Sequence, residues 1–225
     1  MIKYAKEIRI VSAFSNIPKK ESIMKKNIIT ISREFGSGGR SIAKALAERL
    51  GVPYYDKELV KQVSEETGFH ENFIESAGEY AHSTNRLAYA FGSHAAHGTV
   101  SGMSINDFLW VMQRKVILDI ADKGPCVIVG RCADYILSDR DDVFNVFIHA
   151  DMDARAERIV RLYGESEKAP KKRLEEKDKK RKVYYKHFTG NDWGVAKNYH
   201  ITLNSAKIGV DRCVDILESI IKSEK

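Results

Sequence analysis

The feature that most constrains the fold lies in residues 28–51, where an apolar, a glycine-rich and an amphipathic segment follow one another. Residues 28–32, IITIS, form a short β-branched run that is typical of a buried strand. Gly36-Ser37-Gly38-Gly39 then reads as a tight turn. Residues 41–50 carry apolar side chains at helical spacing, and Gly51 is placed to end the helix. The sequence therefore predicts a strand, a glycine-rich loop and a helix in direct succession.

The rest of the chain alternates strand-like and helical segments, with an interrupted pattern at 68–103 that predicts helices joined by a flap. The strand-like segments are apolar on both faces, as strands are when helices cover both sides of a parallel sheet. Extended segments are predicted at 53–56, 126–129, 143–149 and 199–203, and helices at 57–67, 104–122, 152–163, 168–187 and 210–221. We therefore expect a three-layer α/β fold, a parallel sheet of about five strands flanked by helices.

Residues 34–41 follow part of the phosphate-binding P-loop pattern, which is Gly, four residues, Gly, Lys and then Ser or Thr. Gly39 and Ser41 match this pattern, whereas Glu34 replaces the first glycine and Arg40 replaces the lysine. The alternative interpretation is a glycine-rich turn that binds no ligand.

The physical basis of phosphate binding survives these two replacements. Backbone amides in a glycine-rich turn can point towards one anion, and the positive end of the following helix faces the same place. Arg40 can clamp phosphate oxygens, and the Ser41 hydroxyl can ligate Mg²⁺. The predicted ATP-phosphate-binding residues are Gly36, Ser37, Gly38, Gly39, Arg40 and Ser41.

Charge is concentrated in one segment of the chain. The whole chain has a net charge of +6, and residues 153–186 contain 13 Lys and Arg against 7 Asp and Glu, which is also +6. Such a surplus attracts phosphates. Because no recognised nucleic-acid-binding motif accompanies it, we expect small phosphorylated molecules rather than nucleic acid as partners.

Residues 1–26 are predicted to be an N-terminal extension, because Met24 is a second methionine just before the first core strand. A small docked strand at Ile8–Val11 is the alternative. No apolar run reaches the roughly 18 residues of a membrane span, and no secretory signal is recognisable. The sequence therefore predicts a cytoplasmic protein without a membrane partner, and it leaves a homo-oligomer open.

Cysteine and histidine residues provide no metal pattern. Cys126, Cys132 and Cys213 are odd in number and fit no zinc spacing, so we expect reduced and mostly buried thiols. His94 and His97 have no acidic or cysteine partner nearby, which argues against a metal site there.

Four segments together resemble one known family: residues 30–40, 52–59, 124–137 and 181–193. They are similar to the cytidylate kinase-like family, a branch of the nucleoside monophosphate kinases, and the resemblance extends over about residues 27–222. An arginine in place of the P-loop lysine is itself typical of this branch. The resemblance implies one P-loop kinase domain, residues 27–225, with an acceptor-binding insert at about 58–103 and a lid at about 155–192. It also implies ATP as phosphoryl donor with Mg²⁺.

The acceptor would lie where two strands end. Arg131 resembles the arginine with which cytidylate kinases hold the acceptor nucleotide, and Asp134 could bond a base or orient Arg131. A structural salt bridge between the two is the alternative. Tyr55 and Asp56 occupy the place where acceptor contacts begin in the family, although Tyr55 could pack in the core and Asp56 could cap the next helix.

The basic helices would form the lid. Arg155 and Arg158 are one turn apart on one helix face, and Arg158 and Arg181 are the favoured phosphate contacts. A solvated charged face is the alternative. The predicted catalytic residues are Arg40, Arg131, Arg158 and Arg181, and the further lid residues are Arg155, Arg173, Lys177 and Lys180. Trp193 and Tyr185 are expected to pack the lid, and residues 204–206 to pass the adenine.

These features predict an ATP-dependent phosphotransferase with CMP or dCMP as its acceptor. Cytidylate kinases carry an acid two residues before the acceptor arginine, where this chain has Val129, so the acceptor stays open. The alternatives are a kinase of another small metabolite and a nucleotide-binding sensor with little turnover. A phosphate acceptor needs no general base, whereas an alcohol acceptor would use a carboxylate such as Asp56.

Overall fold

The computed structural model describes residues 27–79, 99–100 and 103–223. Its centre is a parallel sheet of five strands in the order β2-β5-β1-β6-β7. These strands are β1 (Ile28–Arg33), β2 (Tyr54–Tyr55), β5 (Cys126–Val129), β6 (Val143–His149) and β7 (Ile201–Asn204). A separate antiparallel pair joins β3 (Thr99–Val100) to β4 (Met103–Ser104).

Helices lie between the strands and after them. They are α1 (Gly39–Leu50), α2 (Lys57–Thr67), α3 (Glu71–Glu79), α4 (Ile105–Asp122), α5 (Ala133–Ile136), α6 (Met152–Tyr163), α7 (Pro170–Thr189), α8 (Ser205–Ile208) and α9 (Val210–Ser223). Within the described ranges, no helix is long and apolar enough to cross a membrane.

The sheet is buried on both faces. Ile28 and Ile128 pack with residues of α2 and α4 on one side. Ile29, Ile31 and Val146 pack with α1 and α9 on the other. Alternate residues of one strand thus serve two cores, which is why the strands carry apolar side chains on both faces. The predicted fold class, a parallel five-stranded sheet flanked by helices, is confirmed.

Several predicted element boundaries need small corrections. The helix after the glycine turn begins at Gly39 rather than Ser41, because Gly38 is its left-handed N-cap. Helix α7 spans 170–189 rather than 168–187, since Pro170 sits in its first turn and Gly190 ends it. The last strand covers 201–204 rather than 199–203.

Other expectations have mixed outcomes. All three cysteines are free and buried, as predicted. Tyr185 and Trp193 pack in one aromatic cluster with Cys132 and Tyr184, as expected for packing residues. The predictions for residues 1–26, including Ile8–Val11, and for His94 and His97 concern positions outside the described residues.

Candidate active site

The phosphate loop, residues 34–41, connects β1 to α1 at the C-terminal edge of the sheet. Gly36 and Gly38 have φ angles of 80° and 82°, which larger residues rarely adopt. A Cβ on Gly39 would lie 2.5 Å from the Cβ of Arg33, so close packing also requires glycine there. No side chain caps α1, which is the arrangement that an anion site at a helix N-terminus requires.

Arginines from four elements line the cleft above this loop, which we call the donor cleft for the role that we propose for it. Arg158 of α6 donates from Nη2 to the Ser41 hydroxyl at 3.1 Å. Arg181 of α7 donates from Nη1 to the carbonyl oxygen of Arg33 at 3.2 Å. The four arginines of the cleft are Arg33, Arg40, Arg158 and Arg181. Their convergence makes this donor cleft strongly attractive to a polyanion.

Arg40 and Asp56 form an ion pair beside the loop. Arg40 Nε lies 2.8 Å from Asp56 Oδ2, and its Nη2 donates to Oδ1 at 3.3 Å. Asp56 stands at the N-cap of α2, yet its side chain makes no cap hydrogen bond. Its carboxylate therefore faces the phosphate loop rather than the helix. The neighbouring Tyr55 is half-buried and packs against the core, and burial raises its pKa.

A second cleft adjoins the first, and we call it the acceptor cleft for the role that we propose for it. It is lined by Ser32, Arg33, Gly130, Arg131, Cys132, Arg181, Tyr184, Tyr185 and Trp193. Arg33 and Arg181 line both clefts, so the two spaces meet at a shared pair of guanidinium groups. A group bound in one cleft is thereby placed next to a group bound in the other.

Arg131 and Asp134 do not form the salt bridge that was the alternative to ligand binding. Arg131 Nη1 donates to the carbonyl oxygen of Ile74 and to Gln113 Oε1, both at 3.4 Å. Within the described residues, Arg131 has no carboxylate partner. Asp134 is buried and accepts from the Tyr185 hydroxyl at 2.7 Å. Burial raises the pKa of Asp134 to about 6.

The predicted lid residues differ widely in position. Arg155 is buried, lies 2.5 Å from Asp178 and 3.4 Å from Glu34, and donates to the Phe35 carbonyl oxygen. Arg173 donates to the carbonyl oxygen of Gly164 at 3.0 Å, in the link between α6 and α7. Lys177 and Lys180 lie on α7, half-buried and exposed respectively. The structure thus brings Arg158 and Arg181 to the donor cleft and places Arg155 behind it.

Two functional residues were not among the predicted ones. Asp178 accepts from the Phe35 amide at 2.8 Å and pairs with Arg155, so it fixes the start of the phosphate loop. Phe35 and Asp178 are 143 positions apart, so no local sequence pattern indicates this contact. Arg33 ends a buried strand at the sheet edge, and that signal, already used for Arg131, could have identified it.

A third cleft lies on the other side of the phosphate loop, near the end of β7. It contains Gly36, Ser37, Ala150, Ala154, Glu157, Arg158, Arg161, Ser205 and Ala206. The Ser205 hydroxyl donates to the Ser37 carbonyl oxygen at 2.5 Å. The segment after β7 is thus tied to the phosphate loop, and its small side chains leave room for a flat group.

Comparisons with known proteins agree with this fold. A cytidylate kinase of Methanopyrus kandleri is 22% identical over 212 residues, 86% of this chain and 92% of the relative. An uncharacterized protein from Eubacterium ventriosum is 31% identical, with a TM-score of 0.63 over 87% of this chain and 98% of that one. A shikimate kinase from Acinetobacter baumannii, in complex with shikimate, shares the fold: TM-score 0.50, 14% identity, 90% and 96% covered. The model of the cytidylate kinase-like family matches residues 28–207, and the chain belongs to this family of P-loop kinase-like proteins.

Proposed function

We propose that this protein transfers the γ-phosphoryl group of ATP to a nucleoside monophosphate, with CMP or dCMP as the leading acceptor. The observation that carries the proposal is the pair of clefts that meet at Arg33 and Arg181. Phosphoryl transfer needs donor and acceptor phosphates side by side, with cations where charge develops. Two adjoining clefts with a shared arginine pair meet that need.

The donor would occupy the phosphate loop and the third cleft. Its phosphates would bind the amides of the loop and the first turn of α1, with Arg40 and Arg158 as cationic partners. Its adenine would lie beside Ser205 and Ala206, where the lining side chains are small. Helices α6 and α7 would act as the lid at 155–192, and the segment 58–103 as the acceptor-binding insert.

The acceptor phosphate would bind Arg131 in the acceptor cleft. Arg131 lacks an acidic partner among the described residues, so its charge is available for an anion. Asp134 would support the site through Tyr185 rather than touch the base, because it is buried and bonded to that hydroxyl. Val129 is also buried, and it contributes no acid to this cleft.

Catalysis in this arrangement is positioning and neutralisation of charge. A nucleotide phosphate is already an anion near neutral pH and needs no general base. Asp56, the carboxylate that an alcohol acceptor would use, lies in an ion pair with Arg40 at 2.8 Å. That pairing supports a phosphate acceptor over an alcohol.

The residues present suit Mg²⁺ carried in with ATP. The described residues contain no group of three His, Cys, Asp or Glu side chains that could hold a metal ion by themselves. Ser41 offers one hydroxyl beside the loop, which accepts from Arg158 Nη2 and keeps a second lone pair, and Mg²⁺ takes its remaining ligands readily from phosphates and water. When bound, the ion would neutralise charge on the β- and γ-phosphates.

The test is phosphoryl transfer from ATP-Mg²⁺ to a panel of nucleoside monophosphates, with an ATP-only control and with shikimate and gluconate as alcohol acceptors. We expect turnover on CMP or dCMP, and loss of at least about 100-fold in kcat/KM when Arg40 is replaced by methionine. Turnover on an alcohol alone would overturn the acceptor class. ATP binding without turnover on any acceptor would favour a sensor.

A further inference from the structure

Arg131 lies in an unusual stretch of backbone. Gly130, Arg131 and Cys132 have φ angles of 70°, 57° and 53°, so three consecutive residues are left-handed. Residues with a side chain rarely adopt this conformation, and they keep it only where neighbouring groups hold them. The turn sets the direction of the Arg131 side chain as it leaves β5, so what holds the turn also aims the guanidinium.

Backbone hydrogen bonds hold Gly130 and Cys132, and the side chain of Gln113 on α4 holds Arg131 between them. Its Nε2 donates to the Arg131 carbonyl oxygen at 3.3 Å, and its Oε1 accepts from Arg131 Nη1 at 3.4 Å. The amide of Gln113 therefore hydrogen-bonds to both the main chain and the side chain of Arg131. Gln113 is only 2% exposed, and a buried amide is costly unless its polar atoms are bonded. Because the other buried residues of α4 are apolar, the polar Gln113 calls for a functional or structural explanation.

The same amide reaches the basic helices. Gln113 Nε2 also donates to the Tyr184 hydroxyl at 3.2 Å, and Tyr184 lies on α7 together with Arg181. The side-chain hydrogen bonds of Arg131 in the described residues use Nη1 alone, so Gln113 orients the guanidinium without consuming its other donors.

We infer that Gln113 is a positioning residue, which aims Arg131 into the acceptor cleft and ties it to α7. The identity of the acceptor rests on the proposed function, whereas the contact by which Gln113 holds Arg131 does not depend on it. Gln113 itself lies outside the lining of the cleft and touches the acceptor only through Arg131.

The experiment compares Gln113→Met, which keeps the length of the side chain and loses its hydrogen bonds, with Val116→Ala. Val116 is buried on the same helix and lines none of the three clefts near the phosphate loop, so its truncation reports plain loss of packing. We expect Gln113→Met to raise the acceptor KM about tenfold or more, with the KM for ATP within twofold. Val116→Ala should lower the melting temperature without moving either KM.

Two further measurements distinguish a failure of the inference about Gln113 from a failure of the proposed function. In Arg131→Met, the added change Gln113→Met should cost little more, because Gln113 acts through Arg131; additive losses would contradict the inference. Hydrogen exchange of the peptide with residues 130–132 should be faster in Gln113→Met than in the wild type or Val116→Ala. Unchanged exchange overturns the inference whatever the acceptor is, whereas a wild-type protein with no turnover overturns the proposed function alone.

Discussion

At the scale of single residues, the two predicted acceptor-site carboxylates lie in opposite environments. Asp56 faces Arg40 and remains partly open to solvent. Asp134 is only 5% exposed and is bonded to a neutral tyrosine hydroxyl. Burial away from a cation favours the neutral acid, and the pKa of Asp134 rises to about 6 for this reason. Asp134 is therefore expected to exchange its proton at a higher pH than an exposed aspartate does.

We predict that Asp134→Asn removes a pH dependence from the stability of the protein. Because the folded state raises the pKa of Asp134 from 3.8 to about 6, proton binding stabilises the fold at low pH. That contribution is full below pH 3.8 and is lost as pH rises through 6. The wild type should lose roughly 2 kcal/mol of unfolding free energy relative to the asparagine variant between pH 4 and pH 7.

Urea denaturation of both proteins at pH 4.5, 5.5, 6.5 and 7.5 measures this difference. Asparagine keeps the shape and can still accept from the Tyr185 hydroxyl, so the variant should fold. Parallel stability curves for the two proteins across this range would show that Asp134 is ionised in the folded state at all of these pH values.

At the scale of elements, the phosphate loop is built together with α6 and α7 and not as an isolated turn. Phe35 is bonded through its amide to Asp178 and through its carbonyl oxygen to Arg155. Gly36 packs so tightly on α6 that a Cβ there would lie 2.9 Å from Ile159 Cγ2 and 3.0 Å from the Arg155 carbonyl oxygen. A change that separates loop and helices should therefore disturb ATP binding.

We predict that Gly36→Ala weakens ATP-Mg²⁺ binding at least tenfold, and that Gly190→Ala does not. Both glycines are left-handed, with φ angles of 80° and 71°, so each substitution carries a similar backbone cost of about 1 kcal/mol. Gly190 has no atom within 4 Å of an added Cβ, whereas Gly36 has the two close contacts on α6. Comparing Gly36→Ala with Gly190→Ala therefore distinguishes the effect of crowding against α6 from the effect of backbone strain.

Isothermal titration calorimetry with ATP-Mg²⁺, together with thermal unfolding of each variant, tests this comparison. Equal losses of ATP affinity in the two variants would mean that strain alone, and not contact with α6, governs the loop.

The sequence predicts those elements whose signals are local. β1, β5 and β6 are apolar runs, and α1 lies between the glycine turn and Gly51. The pairing of buried polar groups could not be predicted, since it depends on which elements come together. Arg155 and Arg158 illustrate this: they are one turn apart with the same charge, yet one is buried behind the loop and the other contacts Ser41.

At the scale of the whole molecule, positive charge is gathered on α6 and α7, which pack against the phosphate loop. Residues 153–186 carry a net charge of +6, equal to that of the entire chain. Two of these arginines, Arg158 and Arg181, line the donor cleft. A bound polyanion would join these helices to the loop and relieve part of their mutual repulsion, so ligand binding and stability should be coupled.

We predict that ATP-Mg²⁺ at about 100 times its Kd stabilises the fold by roughly 2.7 kcal/mol, which raises the melting temperature by about 5–10 °C. With this ATP-Mg²⁺ concentration held fixed, the rise should shrink when the salt is increased from about 0.05 to 0.3 M, because salt screens the arginines of an open cleft.

At low salt, Arg158→Met should show a smaller rise than the wild type. Lys222→Met removes the same unit of charge from the end of α9, where Lys222 pairs with Glu218 and lines none of the three clefts, and should leave the rise intact. Differential scanning fluorimetry of the three proteins at both salt concentrations measures these shifts. An equal reduction in both variants would mean that net charge, and not the placement of Arg158 over Ser41, sets the affinity for the nucleotide.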